Sequence, residues 1–311
     1  MDPLVSVCIP CFNAERWLAE AIESALDQTW DAIEVIVVDD ASKDTSKSIA
    51  NSYGERVLAI KSDHRGGNFA RNLVLSRARG TWVQFLDADD YLEPDKIRCQ
   101  FLEANGGADA DLIYSPYWFE RFGDKPQRWI GELNPGADLF TQWLSWQLPQ
   151  TGAVLWRKSA LNALGGWKED QPCCQEHELY LRALKAGVRF VFAPTPHAVY
   201  RLWSEQTVCR KDPAQTIRVR TGLLDDARDW LKERGRWTDQ YRRVAGRACF
   251  EMARTLARDN PAGAAAYHAE RRAAGLIRLE GPAAPFLYRI AYQLFGFNVA
   301  ERIAAGRRMA A

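Results

Sequence analysis

Short apolar segments alternate with amphipathic ones along the first third of the chain. Residues 33–38 are an almost continuous apolar run, which is typical of a strand buried on both faces of a parallel sheet. Residues 14–28 place apolar side chains at helical spacing, which predicts an amphipathic helix capped by Asn13. The predicted strands are 4–9, 33–38, 56–61 and 81–86, and the predicted helices between them are 14–28, about 45–53 and 68–79. This rhythm predicts an α/β fold with a Rossmann-like, mostly parallel sheet flanked by helices.

Acidic side chains follow two of the predicted strands. Asp39 and Asp40 end the second, and Asp87, Asp89 and Asp90 end the fourth. Because ligands of such sheets gather beyond the carboxyl ends of the strands, these acids are expected to meet on one rim. Close carboxylates raise one another's pKa or bind a cation, so the cluster favours a hard divalent ion. The alternative is a solvated turn that caps the next helix.

Two absent glycine motifs narrow the class of ligand. The sequence has no Gly-x-Gly-x-x-Gly after its first strand and no Gly-x4-Gly-Lys-Ser/Thr, which argues against classical dinucleotide and P-loop sites. Carboxylates that share a magnesium-like ion with phosphates fit a diphosphate. Phe12 offers a ring for stacking on a base, and Asp40 offers an acceptor for its ring N–H. Together these residues indicate a nucleoside diphosphate that carries another group.

The charge balance excludes a global attraction to nucleic acid. The 311 residues hold 41 Lys plus Arg and 40 Asp plus Glu, so no nucleic-acid partner is expected. Residues 1–200 contain 20 basic and 28 acidic groups, whereas residues 201–311 contain the other 21 and 12. Seven cysteines without framework spacing predict reduced thiols. With no basic leader and no apolar run of ~20 residues, a cytoplasmic protein is expected.

Several segments, in this order, resemble family 2 glycosyltransferases. They are Val-Cys-Ile-Pro-Cys-Phe-Asn at 7–13, residues 21–29, Glu-Val-Ile-Val-Val-Asp-Asp-Ala-Ser-Lys-Asp-Thr at 34–45, Gly-Gly-Asn-Phe-Ala-Arg-Asn at 66–72 and Phe-Leu-Asp-Ala-Asp-Asp at 85–90. The resemblance covers roughly residues 4–208, which makes it more specific than any single motif. It implies the GT-A fold, a nucleotide-sugar donor, a Mg²⁺ or Mn²⁺ ion and transfer with inversion at the anomeric carbon.

The resemblance also implies roles for residues near the donor. Pro10, Phe12 and Asp40 would hold the nucleoside, with Phe12 where the family often has Tyr. Arg71 would lie near the base or diphosphate, although without the resemblance its position on a predicted helix favours a surface charge. Asp87 would face the ribose.

Metal binding and catalysis are assigned in the same way. Asp89 would bind the metal, and Glu176 falls on the position of the general base in a segment similar to the family's Glu-Asp-x-Asp-Leu-x-Leu-Arg motif. Glu176 replaces the usual Asp, and Gln175 replaces the Glu before it. Decoration of a helix N-terminus is the alternative for Glu176, and His177 is a second candidate base.

Departures from the family pattern keep two other classes of protein open. Residues 200–208 resemble the family's Tyr-Arg-x-His-x-x-Ser segment, but Trp203 stands where His is usual, and an indole does not ligate a metal. Gln175 and Trp203 together leave room for a catalytically silent protein that binds nucleotide sugars. A sugar-nucleotide pyrophosphorylase is the other alternative, but it should open with a glycine-rich basic loop, which residues 9–13 lack.

The composition turns helical from Pro213, which predicts a GT-A domain over 1–210 and a helical extension over 211–311. Residues 286–297 are apolar and aromatic, and Arg302, Arg307 and Arg308 follow them. This fits a peripheral helix on the anionic inner face of a membrane, beside a lipid-linked acceptor, and it fits packing on the domain or a second subunit equally well.

The sequence therefore predicts an inverting, metal-dependent glycosyltransferase. Its donor would be a nucleotide sugar, with UDP favoured, and its acceptor a hydroxyl of a glycan or lipid-linked glycan. Cell-envelope or polysaccharide synthesis is the expected setting.

Overall fold

A computed structural model describes residues 2–121, 127–131, 133–203 and 211–309 of the chain. For residues 307–309 it describes the backbone without the side chains. The strands are β1 Val5–Cys11, β2 Ile33–Asp39, β3 Val57–Lys61, β4 Trp82–Phe85, β5 Tyr91–Leu92, β6 Leu112–Tyr114, β7 Trp118–Arg121, β8 Gln127–Ile130, β9 Val154–Arg157, β10 Phe190–Phe192 and β11 Ala198–Leu202. The helices are α1 Leu18–Leu26, α2 Ser46–Ser52, α3 Gly67–Arg77, α4 Lys96–Glu103, α5 Leu139–Leu144, α6 Lys158–Ala163, α7 Gln175–Lys185, α8 Pro213–Glu233, α9 Asp239–Leu256, α10 Pro261–Ala273 and α11 Phe286–Met309.

The central sheet has the strand order β10-β6-β9-β4-β1-β2-β3. Strands β1 to β4 pair in parallel, as their apolar runs predict, and β9 runs antiparallel to both of its neighbours. In β1 and β2 nearly every side chain is buried. This is the pattern expected of strands covered on both faces. The reversal of β9 places its first residue, rather than its last, at the edge where the parallel strands end.

A smaller sheet has the order β5-β11-β7-β8 and was not predicted. Strand β5 has only two residues, and β8 pairs on one side with β7. On this sheet the rings of Phe119 and Trp129 stack, with centroids 5.3 Å apart. Trp143, on α5, is fully buried.

Helix α1 follows its predicted pattern, with Leu18, Ala21, Ile22 and Ala25 buried. It begins four residues later than the predicted helix, because Asn13 adopts a positive φ of 50° and does not cap it. The Asn13 side chain instead accepts a hydrogen bond from Lys43 N, and so ties β1 to the turn after β2.

The chain divides into two compact units. The first contains residues 1–135 and 148–205, and the second contains residues 136–147 and 206–311. In the second unit, α9 packs against α5, α8 and α10 and buries Ala245, Cys249 and Phe250. The predicted boundary at residue 210 falls among residues outside those described. Across the described residues, no helix combines the length and apolar character needed to cross a bilayer.

Candidate active site

The carboxyl ends of β1, β2 and β4 lie side by side in the sheet. Cys11 is in register with Asp39, and Cys8 with Phe85. Phe12, Asp40 and Asp87 directly follow, or lie close after, the ends of these neighbouring strands, and therefore lie at one edge of the sheet, as the sequence predicts. Pro10 lies inside β1 opposite Val38.

Asp40 is buried and binds a loop rather than facing open solvent. Its Oδ1 accepts a hydrogen bond from Arg65 N at 2.9 Å, and its Oδ2 accepts one from Gly66 N at 2.7 Å. Burial alone would raise the pKa of Asp40, but these backbone donors outweigh it and lower that pKa. Gly66 has a φ of 95°, a conformation that favours glycine, and the next residue begins α3. Asp40 therefore fixes the start of α3.

Phe12 presents an exposed aromatic ring on this edge. It is 44% exposed, and its ring centroid lies 4.5 Å from that of His64. His64 belongs to the loop that Asp40 holds, and its Nδ1 lies 3.2 Å from the carbonyl oxygen of Asp40. Sequence reasoning missed His64, whose positive φ of 56° gives no pattern in the sequence. The pair forms an aromatic face next to a carboxylate.

Arg71 is buried, with only 8% of its surface exposed. Its Nη2 donates to Asp87 Oδ1 at 2.6 Å, its Nη1 donates to Asn68 Oδ1 at 3.3 Å, and its guanidinium lies over the Trp167 ring. Burial tends to lower the pKa of Arg71, but the negative charges of Asp87, Glu176 and Asp89 raise it. The interpretation of Arg71 as a surface charge is therefore wrong. Arg71 is the countercharge of the acid cluster.

The acids after β4 are close enough to perturb one another. Burial, and then the charge of Asp87, raise the pKa of Asp89, whose Oδ2 accepts a hydrogen bond from Trp203 Nε1 at 2.9 Å. Asp90 is 1% exposed, and burial together with Asp89 and Asp87 raises its pKa well above the usual range. It accepts from the backbone N–H of Arg201 at 2.8 Å. The solvated-turn interpretation is wrong, because Asp90 is buried, and the half-buried Asp87 and Asp89 accept hydrogen bonds from Arg71 and Trp203.

Arg201 supports the cluster from β11. Its guanidinium lies between the rings of Trp17 and Tyr91, 4.6 and 4.4 Å from their centroids, and forms an ion pair with Glu20. Its Nη1 donates to the carbonyl oxygen of Asp89 at 3.2 Å. Because β11 belongs to the unpredicted sheet, sequence reasoning gave Arg201 no role. Residues 204–208 of the motif segment lie outside the described residues.

Residues 150 and 151 connect the acid cluster with Glu176. Gln150 Nε2 donates to Asp90 Oδ2 at 3.0 Å and lies 3.5 Å from Asp87 Oδ2. Thr151 Oγ1 donates to Glu176 Oε1 at 2.9 Å. This segment directly precedes β9, so the reversed direction of that strand brings it to the edge of the site. Neither residue was predicted, because the sequence does not reveal the direction of β9.

Glu176 lies in the first turn of α7, one residue beyond its start. The neighbouring acid, Glu178, instead pairs with Arg182 at 2.7 Å, and Arg182 also donates to two backbone carbonyls. Glu178 is thus structural. Glu176 accepts a hydrogen bond from Thr151, and its negative charge helps to raise the pKa of Arg71.

A divalent cation fits the chemistry of this site, although no preformed cage is visible. The described residues contain no group of three or more His, Cys, Asp or Glu side chains placed to hold a metal ion. However, the raised pKa of Asp89 reflects buried, mutually repelling carboxylates, and a cation would relieve that repulsion. Carboxylates are the ligands that Mg²⁺ and Mn²⁺ prefer, and such ions commonly take only one or two of them from the protein.

A family model described as "Glycosyl transferase family 2" matches residues 6–130. An uncharacterized glycosyltransferase from Rickettsia prowazekii is 39% identical over 112 residues, which is 36% of this chain and 35% of that protein. The putative glycosyltransferase EpsH of Bacillus subtilis is 35% identical over 118 residues, which is 37% of this chain and 34% of that protein. The chain thus spans about a third of the length of these curated relatives.

Solved structures resemble the chain over most of its length. Staphylococcus aureus TarS 1–349 in complex with UDP-GlcNAc has a TM-score of 0.59 at 14% identity, covering 88% of this chain and 90% of that one. Pyrobaculum calidifontis PcManGT, a mannosyltransferase in complex with GDP-Man and Mn²⁺, has a TM-score of 0.56 at 17% identity, covering 97% and 87%. At these identities the likeness establishes the fold, and the predicted GT-A architecture is confirmed.

Proposed function

We propose that the chain, whose residues 6–130 match the model of glycosyl transferase family 2, is an inverting glycosyltransferase with a nucleotide-sugar donor. The observation that carries the proposal is the half-buried cluster of Asp87, Asp89 and Glu176 near the buried Arg71, beside an exposed aromatic face. A purely structural cluster would not need three half-buried carboxylates near one arginine, since withdrawing charge from water is costly.

The donor site is proposed on the edge formed by β1, β2 and β4. Phe12 stacks on the base, Asp40 accepts from its ring N–H, and Pro10 shapes the end of β1. Asp40 already binds two backbone donors, so recognition of the base by its carboxylate includes a shift of the loop that contains His64. Asp87, oriented by Arg71, faces the ribose. UDP is the favoured nucleotide: an acceptor beside a stacked base matches the ring N–H of uracil, which cytosine and adenine lack.

Asp89 is the proposed protein ligand of Mg²⁺ or Mn²⁺. When bound, the ion supplies positive charge for the leaving diphosphate. The indole N–H of Trp203 donates to Oδ2 of Asp89, which leaves Oδ1 as the oxygen that would bind the ion. Gln150 and Arg201 fix the turn that carries Asp89.

Glu176 is the proposed general base. Thr151 occupies its Oε1, so Oε2 is the oxygen that takes the proton of the acceptor hydroxyl. That hydroxyl attacks the anomeric carbon as the bond to the diphosphate breaks, in one in-line displacement that inverts the configuration. The acceptor is proposed to be a glycan or lipid-linked glycan in envelope or polysaccharide synthesis, on the cytoplasmic side.

Glu176→Gln is the direct test. Donor binding should remain, because Glu176 does not contact the proposed donor edge, and the transfer rate should fall roughly 10²–10⁴-fold, the usual contribution of a general base. Donor affinity is measured by thermal shift with UDP-sugars and Mn²⁺, and transfer is measured by UDP release on an acceptor panel.

Glu178→Gln is the matched control from the same helical turn. It breaks the pair with Arg182 and so should lower the melting temperature but leave the transfer rate of the folded enzyme unchanged. Wild-type turnover by Glu176→Gln contradicts the assigned base. Tight donor binding by the wild type without transfer or donor hydrolysis identifies the silent binding protein instead.

A further inference from the structure

The last helix of the second unit, α11, is anchored along one face by aromatic and ionic contacts. The Phe297 ring stacks on His268 with centroids 4.3 Å apart, and His268 Nε2 lies 2.9 Å from the Tyr292 hydroxyl. Farther along, Glu301 accepts from Arg254 Nε at 2.6 Å. Both halves of α11 are therefore fixed on the fold, which determines what the opposite face presents.

The opposite face of α11 is apolar and exposed. Gly296, with a φ of 77°, divides the helix into two stretches. Each stretch contains a five-residue segment that begins and ends with an apolar residue and has Arg at its fourth position, at 286–290 and at 299–303. The large exposed apolar side chains are Phe286, Leu287, Ile290, Leu294, Phe295, Val299 and Ile303. Phe286 and Leu294 are 66% and 68% exposed. Exposed apolar residues recur every four positions, at 286, 290 and 294 and at 295, 299 and 303, so the helix carries an apolar stripe along each stretch. Such stripes are more than the scattered apolar residues of an ordinary surface.

The charges on α11 are sorted by face. Its single acid, Glu301, is buried and paired with Arg254. Arg289 and Arg302 are exposed, each three residues after an exposed apolar residue, and neither forms an ion pair with any described residue. The side chains of Arg307 and Arg308 lie outside the described residues. The outward face consequently combines apolar side chains with cations and presents no acid.

We propose that the outward face of α11, from Phe286 to Ile303, binds the surface of an anionic phospholipid bilayer. Helices with an apolar stripe bordered by arginines lie in the plane of the membrane, where the stripe enters the acyl boundary and the cations meet lipid phosphates. The charge pattern selects this occupant over a second copy of the chain. In a symmetric pair of α11 helices, the arginines of both copies would meet with no acid to receive them.

Vesicle flotation tests this proposal and requires no transfer activity, so its result is independent of the proposed function. The full chain is mixed with vesicles of phosphatidylcholine that contain about a third phosphatidylglycerol, or with vesicles of pure phosphatidylcholine. Each mixture is tested at low and at high salt. The wild type should float with the anionic vesicles, and much less with the neutral ones or at high salt. Arg289→Gln with Arg302→Gln should weaken binding roughly fivefold for each arginine removed.

Leu294→Glu and Leu102→Glu form the matched pair of variants. Leu294 lies on the stripe, and Leu102 is equally exposed, at 72%, on α4. Leu294→Glu should abolish flotation and keep the wild-type melting temperature, whereas Leu102→Glu should float like the wild type. The proposal is overturned by absent flotation of the wild type or by equal binding of both leucine variants. It is also overturned if light scattering shows that the wild type is a dimer which Leu294→Glu dissociates, and the wild type does not bind vesicles.

Discussion

Removal of the Thr151 hydroxyl tests whether Glu176 depends on a fixed orientation. Thr151→Val keeps the shape of a buried side chain and deletes the 2.9 Å bond to Glu176 Oε1. A hydrogen bond to a charged group contributes ~1.5–3 kcal/mol, so the loss of orientation should lower kcat by about 10–100-fold. The KM for the donor should stay near the wild-type value, because Thr151 lies on the side of Glu176 and not on the donor edge.

Thr151→Ser is the conservative variant that restores the donor group. It should recover most of kcat, measured by steady-state UDP release with a saturating acceptor. In the Glu176→Gln background, Thr151→Val should cost little more, since the two residues act as one unit. Wild-type kcat in Thr151→Val, or equal losses in the Val and Ser variants, would refute the assigned role. A lower melting temperature with unchanged kcat would show that the contact only stabilises the fold.

Two further predictions concern the electrostatics around the donor edge. Arg71→Leu leaves Asp87 and its neighbours without their countercharge, so the free energy of unfolding in urea should fall by roughly 3 kcal/mol, whereas the exposed Arg77→Leu on the same helix should change it little. Equal stability of the two variants would contradict the role given to Arg71. The pKa of Asp40 is lowered in the fold, so its charge stabilises the protein above the unfolded pKa near 3.8, and that stability is lost as pH falls through the lower folded pKa. Asp40→Asn should therefore destabilise the protein at pH 7 and progressively less in acid, and a stability difference that does not change with pH would contradict this.

Patterns carried by single segments were sufficient to predict β1 to β4, the parallel strands that carry the donor edge. The apolar runs of β1 and β2, the helical spacing of α1 and the acids after β4 are each local, and together they placed Phe12, Asp40 and Asp87 on one edge. The role of Asn13 was predicted incorrectly, because a helix cap and a link between loops require the same side chain.

The unpredicted parts of the site depend on contacts between distant segments. Arg201 reaches the acid cluster only because β11 joins the second sheet, and Gln150 and Thr151 reach it only because β9 is reversed. The burial of Arg71 depends on Asn68, Trp167 and Asp87, which come from three different parts of the chain. Helical periodicity cannot distinguish such a residue from a surface arginine.

The adjacency of Gln150 and Thr151 has a consequence for redesign. One residue binds the acids that follow β4 and the next binds the carboxylate at the start of α7, so insertion or deletion between Leu148 and Val154 shifts both contacts at once. Loop exchange in this segment would therefore disturb the metal side and the proton-accepting side together. Variation of acceptor preference is better introduced in segments that leave these two neighbouring positions in place.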